Sequence, residues 1–417
     1  DKEAEKRATS VYLVDRTIPM LPERLCNFIC SLRPNEEKLA FSVIFDITEK
    51  GEVRDSRIVH TVINSDRRFT YEEAQQIIET GKGDFAEEVL TLNRLAQRMR
   101  KTRFKRGAVS FQREEAKFKL DAEGKPLGVY FKEQKEANQL IEEFMLLANK
   151  QVAEFCGHHK VNGRAVRRTM VYRVHDVPNE EKLEKFRTFV LRFGYVFKAD
   201  KGRAVAKEMN KLLGQAKGRI EENVISNLAV RAMSKAFYST DNIGHYGLAF
   251  PYYTHFTSPI RRYPDLQIHR IIKDNLRGRM NAKRIEHYEK ILPEVAKHSS
   301  ETERRAEEAE RETDKLKKME YMAERIGEEY EGIISGITAW GIYVELPNTV
   351  EGMVHVSRLP GDYYFYDENL CEMIGEHTGR SYCLGEPVKI KVTGTDSMTK
   401  AIDFDIVEDT GEDDAEE

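Results

Sequence analysis

The stretch THFTSPIRRYPDLQIHRII, residues 254–272, has the residue types and spacing best suited to chemistry on a phosphate. Pro259 disfavours a helix before it, whereas Pro264 suits the first turn of a helix. Arg261 and Arg262 therefore stand just before a predicted helix N-terminus, where guanidinium groups and the helix dipole together can bind phosphate oxygens. The spacing leaves a second interpretation open, in which the two arginines bridge acidic residues within the fold.

A second candidate lies on a helix predicted over residues 137–155. Six of its apolar residues share one helical stripe, which we expect to form core: Leu140, Ile141, Phe144, Leu147, Ala148 and Phe155. Another face carries Asn138, Glu142, Met145 and Asn149. Because asparagine is a poor helix former, two asparagines on one face favour a polar channel wall. An ordinary solvated face remains the alternative.

Aromatic residues beside basic segments could stack on the bases of a single strand, because every base offers a π-face. Tyr12, Tyr71 and Phe111 stand in such positions. Residues 98–106 place six cationic side chains around Phe104, which favours contact with a nucleic-acid backbone. Each aromatic residue taken singly could equally be core, and the cationic segment could equally be a solvated helix end.

After residue 327 the sequence changes to short alternating strands separated by glycines, which predicts a five-stranded OB-fold barrel. Five apolar side chains are predicted to point inward: Ile342, Val344, Leu346, Val354 and Val356. Tyr343 and His355 then share the outward face, with Trp340 at its edge. Such a face can stack on nucleotides, and a barrel used only for packing is the alternative.

The remaining sequence predicts the elements that position these residues. These are β-rich runs over 10–65 with a turn at Glu49–Gly51, helices over 71–103, a hairpin over 107–131, helices over 179–237, and a long charged helix from about Leu292 to Ile326. The predicted fold class is therefore α+β, with a mixed sheet-and-helix body followed by the barrel.

The composition indicates a sizeable core and no membrane segment. The chain has 417 residues, of which 40% are hydrophobic, and we expect a cytoplasmic protein. The net charge of −4 indicates that any nucleic-acid site is a local patch. Five irregularly spaced cysteines predict reduced thiols, and no Cys or His spacing predicts a zinc site. Because the chain opens at Asp1 without an initiator methionine, we expect an internal fragment.

The arginine-containing stretch resembles the SPIRRYPDL signature of the ribonuclease R and ribonuclease II family of exoribonucleases. Three further blocks accompany it in family order: RATSVYLVDRTIPMLPERLCNFICSLRPNEEKLAFS near the start, YRVHDVPNEEKL at 172–183, and ERRAEEAERET at 303–313. The likeness extends over essentially the whole chain and is closer to ribonuclease R. It implies an RNB catalytic domain followed by an S1-type RNA-binding barrel, whose pattern GIISGITAWGIYVEL and EGMVHVSRL matches.

The resemblance also implies roles for particular residues. Arg261 is expected to contact the scissile or adjacent phosphate, and Glu142 matches a glutamate that lines the catalytic cavity. Tyr12 and Phe111 match a pair that clamps the terminal nucleotides, and Tyr71 matches a tyrosine beside the scissile end. Further RNA contacts are expected from four residues of the catalytic domain and three of the barrel: Arg262, Tyr263, Asn149, Glu310, Trp340, Tyr343 and His355.

The activity that the resemblance implies is processive, magnesium-dependent 3′ to 5′ hydrolysis of single-stranded RNA to nucleoside 5′-monophosphates. The expected domains are an N-terminally incomplete catalytic domain over 1–326, the barrel over 327–407 and an acidic disordered tail over 408–417. The aspartate cluster that holds magnesium in relatives is missing here. We therefore predict no metal site in this chain, RNA binding without hydrolysis, and neither a membrane nor a protein partner. A shortened, non-catalytic RNA-binding protein is the alternative.

Overall fold

The structure of the chain is a computed structural model, which describes residues 1–109, 115–161, 164–167, 169–200, 202–219, 221–368 and 372–408. The helices are α1 Lys2–Arg7, α2 Tyr71–Thr80, α3 Ala86–Lys105, α4 Glu136–Gly157, α5 Glu180–Arg192, α6 Arg203–Ala216, α7 Glu222–Ala232, α8 Tyr263–Leu276 and α9 Ala282–Ala323. Shorter helical turns span Arg24–Ile29, Tyr246–Leu248 and Val356–Arg358. Within the described ranges, no helix is both long and apolar enough to span a membrane.

The strands of the body are β1 Val11–Tyr12, β2 Thr17–Ile18, β3 Glu37–Ile47, β4 Val53–Asn64, β5 Glu115–Leu120, β6 Pro126–Lys132, β7 His158–Val161, β8 Arg164–Arg167, β9 Tyr172–Val174 and β10 Phe237–Ser239. The C-terminal strands are β11 Glu329–Thr338, β12 Gly341–Glu345, β13 Glu351–His355, β14 Tyr364–Asp367, β15 Glu372–Gly375, β16 Ser381–Tyr382, β17 Pro387–Asp396 and β18 Ala401–Ile406. The predicted α+β class is confirmed.

The predicted hairpin and helix pair of the first hundred residues are present. β3 and β4 pair antiparallel, and Gly51 in their turn has φ of 79°, a conformation that favours glycine. Thr70 and Glu73 form a capping box at the start of α2, in which each side chain accepts a hydrogen bond from the other residue's backbone N–H. The basic segment predicted around Phe104 forms the C-terminal half of α3.

Helix α4 presents a different face to the core from the one that its apolar residues predict. Its buried residues are Ala137, Leu140, Glu143, Leu146, Asn149, Val152, Ala153, Cys156 and Gly157. Ile141 and Phe155 are 51% and 40% exposed. Of the predicted stripe only Leu140 is buried, and the buried face instead includes Glu143 and Asn149, whose hydrogen bonds to other elements compensate for their burial.

Helix α9 begins earlier than predicted and connects two hydrophobic cores. It starts at Ala282, where the Asn281 side chain accepts a hydrogen bond from Arg284 N at 3.0 Å, and it runs through Pro293. The charged stretch predicted from about Leu292 therefore forms the later part of a longer helix, which also contains Pro293. Near its N-terminus α9 packs with α4 and α8, whereas Met319 and Met322 near its other end belong to the core of the barrel.

The C-terminal strands form the predicted five-stranded closed barrel, in the order β11-β12-β13-β18-β17. Four of the predicted inward residues are at most 2% exposed, namely Ile342, Val344, Leu346 and Val354, and Val356 is half-buried against the same core. A three-stranded sheet, β14-β15-β16, is inserted between β13 and β17. Of the predicted tail, only Glu408 lies within the described residues.

Candidate catalytic and RNA-binding site

The loop before α8 gives the two adjacent arginines different environments. Asp265 is fully buried, and its Oδ2 accepts hydrogen bonds from Ser258 N at 2.8 Å and Arg262 Nη2 at 2.9 Å. Burial opposes the charge on Arg262, but the Asp265 carboxylate outweighs it, so the pKa of Arg262 lies above its ordinary value. Arg262 therefore stabilises the loop through its ion pair with Asp265, in agreement with the interpretation that the arginines bridge acidic residues within the fold.

Arg261 is held through its backbone rather than through its side chain. Its carbonyl oxygen accepts a hydrogen bond from Ser10 N at 3.0 Å, and Tyr263 N donates to Ala8 O at 2.8 Å. Arg261 is half-buried, and its guanidinium forms no ion pair with any residue that the structure describes. Its planar fork of donors can therefore bind a ligand without first breaking an internal ion pair.

The segment that holds Arg261 also positions Tyr12 and Glu310. Two residues beyond Ser10, Tyr12 N donates to Glu310 Oε1 on α9 at 2.8 Å. Tyr12 is 47% exposed, which makes it accessible to a base. The structure thus brings together Tyr12, Glu310 and the Arg261 loop, although about 250 to 300 residues separate them in sequence.

Glu142 belongs to a cluster of two carboxylates and two guanidinium groups between α3 and α4. Arg100 and Arg103 each contact both Glu142 and Glu143. Arg103 Nη2 lies 3.3 Å from Glu142 Oε1, and Arg103 Nε lies 3.3 Å from Glu143 Oε2. The Glu142 side chain is 36% exposed and that of Glu143 only 3%, so Glu142 is the carboxylate that a ligand can reach.

Asn149 does not line a channel, which corrects the sequence-based expectation of an RNA contact. Its side chain is completely buried, its Oδ1 accepts a hydrogen bond from Phe256 N at 2.9 Å, and its Nδ2 donates to Tyr253 Oη at 3.1 Å. Both partners belong to the loop that leads to Arg261. Asn149 is therefore a positioning residue, and its unusual place within a helix reflects this anchoring.

Tyr263 is also corrected, because it lies in the core. Its side chain is 3% exposed and packs with Ala4, Ala8, Met20 and Val295. Such burial leaves no ring face for a base, and the residue secures the start of α8 against the N-terminal segment. Phe111, the expected partner of Tyr12, lies outside the described residues.

Tyr71, the first residue of α2, lies beside the N-terminal end of α4. It is 42% exposed, and its ring centroid lies 5.9 Å from Lys132 Nζ. Tyr71 and Asn138 line the same cavity of about 540 Å³. Asn138 precedes Glu142 by about one helical turn, whereas Asn149 follows it by about two turns. Helix α4 therefore carries Glu142 about one turn beyond the residue that shares a cavity with Tyr71, and it supports the Arg261 loop further along.

The barrel presents the aromatic face that its sequence predicts. Tyr343 pairs with Met353 and Gly341 pairs with His355, so these residues point to the same side of the sheet. Trp340 is 70% exposed beside them. Gly341 has φ of 148°, and a Cβ there would overlap the carbonyl oxygen of Val354, so the close approach of β12 to β13 requires glycine.

A buried group of histidine and tyrosine rings behind the loop was missed in the sequence. His175, His245, Tyr253 and His255 follow one another with ring centroids 5.1, 5.3 and 5.6 Å apart. Burial lowers the pKa of His245 to about 3, and it also lowers the pKa of His175 and His255. The neutral His175 accepts a hydrogen bond from Gly247 N at 2.8 Å. No spacing rule links these histidines, so the sequence carried no clear signal for them.

The acidic residues near the site do not fit a resident magnesium ion. Magnesium needs several convergent oxygen ligands, whereas Asp265 is engaged by Arg262 and the two glutamates of α4 are engaged by arginines. In the ranges that the structure covers, no group of three or more His, Cys, Asp or Glu residues could hold a metal ion.

Comparison with known proteins agrees with this architecture. Residues 1–278 match the family model described as the RNB domain, and residues 324–406 match the S1 RNA binding domain. The chain belongs to the RNB-domain family, and it carries an S1 domain after the RNB domain. Its curated relatives include proteins named ribonuclease R.

Ribonuclease R 1 of Lactococcus lactis is 41% identical over 414 residues, which cover 97% of this chain and 49% of the relative. Ribonuclease R of Aquifex aeolicus is 39% identical over 98% of this chain and 57% of its own length. The chain thus spans about half the length of these relatives. The structure of Mycoplasma genitalium RNase R in complex with ribose methylated single-stranded RNA has a TM-score of 0.90 and 25% identity, covering 98% of this chain and 64% of that one.

Proposed function

We propose that the protein containing this chain is a processive 3′ to 5′ exoribonuclease that hydrolyses single-stranded RNA to nucleoside 5′-monophosphates. The observation that carries the proposal is Arg261, which is half-exposed and forms no ion pair with the described residues, while its backbone is held by a hydrogen bond from Ser10. The RNB match and the similarity to ribonuclease R support the same reaction class. Arg261 would contact the scissile or adjacent phosphate, and its fork would oppose the charge that develops there.

The other residues would hold the strand. Tyr12 stacks on a terminal base, and Glu310 holds Tyr12 in place through its backbone. For Arg262, which pairs with buried Asp265 and whose Nε is itself buried, the resemblance alone supports a contact with RNA. Tyr71 and Glu142 contact the RNA from the other end of α4. For Phe111, the resemblance alone supports a role in the clamp.

Replacement of Arg261 by lysine in the longest natural form of the protein tests the proposal. Because a point charge replaces a bidentate fork, we expect turnover on short RNA to fall by roughly tenfold or more while RNA affinity changes much less. Arg277→Lys at the exposed C-terminal end of α8 is the matched control and should leave turnover unchanged. Equal turnover of Arg261→Lys and the control would remove Arg261 from the site.

For the 417-residue chain itself, we propose RNA binding without hydrolysis. The lack of fit to magnesium supports this proposal, because positioning alone does not activate the attacking water. Single-stranded RNA affinity should fall as salt rises, since Lys and Arg contacts release counterions, and no monophosphate should appear in magnesium buffer. Release of monophosphates by the purified chain would contradict this account.

A second candidate function is that of a non-catalytic RNA-binding protein. It is favoured by the same observation, that no carboxylate group among the described residues fits magnesium. The assay on the longer natural protein separates the two candidates. Magnesium-dependent release of monophosphates, lost on chelation, supports the exoribonuclease. RNA binding without release supports the binding protein. We also propose the cytoplasm as its location and the division into domains at about residue 327.

A further inference from the structure

A strongly basic cavity of about 680 Å³ lies between α3, α6 and α7. Five cationic side chains line it: Arg100, Lys101, Lys105, Lys207 and Lys217. Among the described lining residues the single carboxylate is Glu222, which accepts a hydrogen bond from Gly218 N at 2.6 Å. Part of the cationic segment around Phe104 therefore faces a second group of cations on α6.

Three of the five cationic side chains that line this cavity have no counter-charge among the described residues. Lys101, Lys105 and Lys207 form no ion pair with the part of the chain that the structure describes, and all three are exposed. Like charges on facing walls repel one another, and the repulsion is relieved when an anion enters between them. The chain as a whole has a net charge of −4, so this excess of cations is local.

The cavity also offers apolar surface and space. Phe104 lines it, with the guanidinium of Arg100 at 4.9 Å from the ring centroid, and Leu213 contributes from α6. Gly214 lies within α6, and no atom stands within 4 Å of the position that its Cβ would occupy. Glycine destabilises a helix interior, and at this position its lack of a side chain leaves space in the cavity.

We propose that this cavity binds the phosphate group of a nucleotide, with Phe104 and Leu213 beneath the base or the sugar. The nucleotide is either a free mononucleotide or one residue of an RNA strand. Arg100 links the cavity to the candidate site, because its Nη1 also lies 3.4 Å from Glu142 Oε2. The proposal is independent of the proposed hydrolysis, because binding at this cavity requires neither Arg261 nor turnover.

Calorimetric titration of the 417-residue chain with uridine 5′-monophosphate, and separately with a short uridine oligonucleotide, tests the proposal. In the double variant Lys101→Glu and Lys207→Glu, which reverses one charge on each wall, we expect affinity for the occupant to fall by about tenfold or more. Lys101→Arg with Lys207→Arg should bind as the parent chain does. The matched control, Lys283→Glu with Lys290→Glu on the exposed part of α9, makes the same change in net charge away from the cavity.

The two titrations identify the source of the phosphate. Weaker binding of the monophosphate identifies a free nucleotide, and weaker binding of the oligonucleotide alone identifies an RNA phosphate. Gly214→Leu, which fills the cavity without changing charge, should weaken the same ligand and serves if the charge-reversal variant fails to fold. The proposal is overturned if neither Gly214→Leu nor the charge reversal alters either affinity, or if the α9 control lowers affinity equally.

Discussion

Replacement of Glu143 by glutamine should destabilise the body of the protein far more than the same change at its neighbour Glu142. Glutamine keeps the size of the side chain but removes its charge. The side chains of Glu143 and Arg103 are 3% and 5% exposed, so the variant leaves a guanidinium buried without its main counter-charge. Removal of one partner from a buried ion pair costs about 3 to 5 kcal/mol.

The remaining contacts decide where in that range the cost falls. Glu142 Oε1 stays 3.3 Å from Arg103 Nη2, so part of the charge remains compensated and we expect about 3 kcal/mol. Glu142→Gln leaves the pair of Arg103 with Glu143 intact and removes a carboxylate that is 36% exposed, so it should cost less than about 1 kcal/mol.

Urea unfolding followed by far-ultraviolet circular dichroism measures both variants, since most helices lie in the body. The double variant Glu143→Gln with Arg103→Met should recover most of the lost stability, because the unpaired charge is removed with its partner. Equal midpoints for Glu142→Gln and Glu143→Gln would refute the reasoning, and so would a double variant no more stable than Glu143→Gln alone.

The barrel and the buried histidines give two further predictions. Changing Trp340, Tyr343 and His355 together to alanine should weaken the binding of long single-stranded RNA by roughly 1 to 3 kcal/mol for each stacked base. Trp340 is the single tryptophan of the chain, so quenching of its fluorescence by RNA measures stacking directly in the parent chain. An absence of quenching would favour a barrel used only for packing. The pKa of His245 is about 3 in the folded protein and near 6.5 in the unfolded chain. Between these two pH values the unfolded chain binds one more proton than the folded protein does, so the stability of the fold decreases as the pH falls. From pH 7 to pH 5 this group should cost about 2 kcal/mol, and His245→Gln should show a shallower loss in urea titrations at the two pH values.

The barrel shows how much local sequence can predict. Alternation of apolar and polar residues placed Ile342, Val344 and Val354 inside and Tyr343 outside, because strand geometry ties direction to sequence position. The buried face of helix α4 was harder to predict, because it includes the polar residues Glu143 and Asn149. A polar residue is buried when a partner elsewhere satisfies it, and that partner is not visible in a local pattern.

The arginine loop illustrates the same limit. Its sequence predicted a helix start after Arg262 but not that Arg262 turns inward to Asp265 while Arg261 remains half-exposed. Ser10 and Ala8, more than 250 residues away, hold the loop through backbone hydrogen bonds with Arg261 and Tyr263. Long-range backbone pairing of this kind has no signature in composition or periodicity.

Helix α9 sets the orientation of the aromatic face of the barrel relative to the Arg261 loop, because it contacts both the body and the barrel. Glu310 binds the backbone of Tyr12 on the body, and two residues later Glu312 pairs with Lys400 of the barrel, while Lys318 Nζ donates to Thr349 O at 2.6 Å. One residue inserted between Glu310 and Glu312 would turn the barrel by about 100° around the helix axis. A continuous helix of 42 residues therefore sets the angle between the two surfaces.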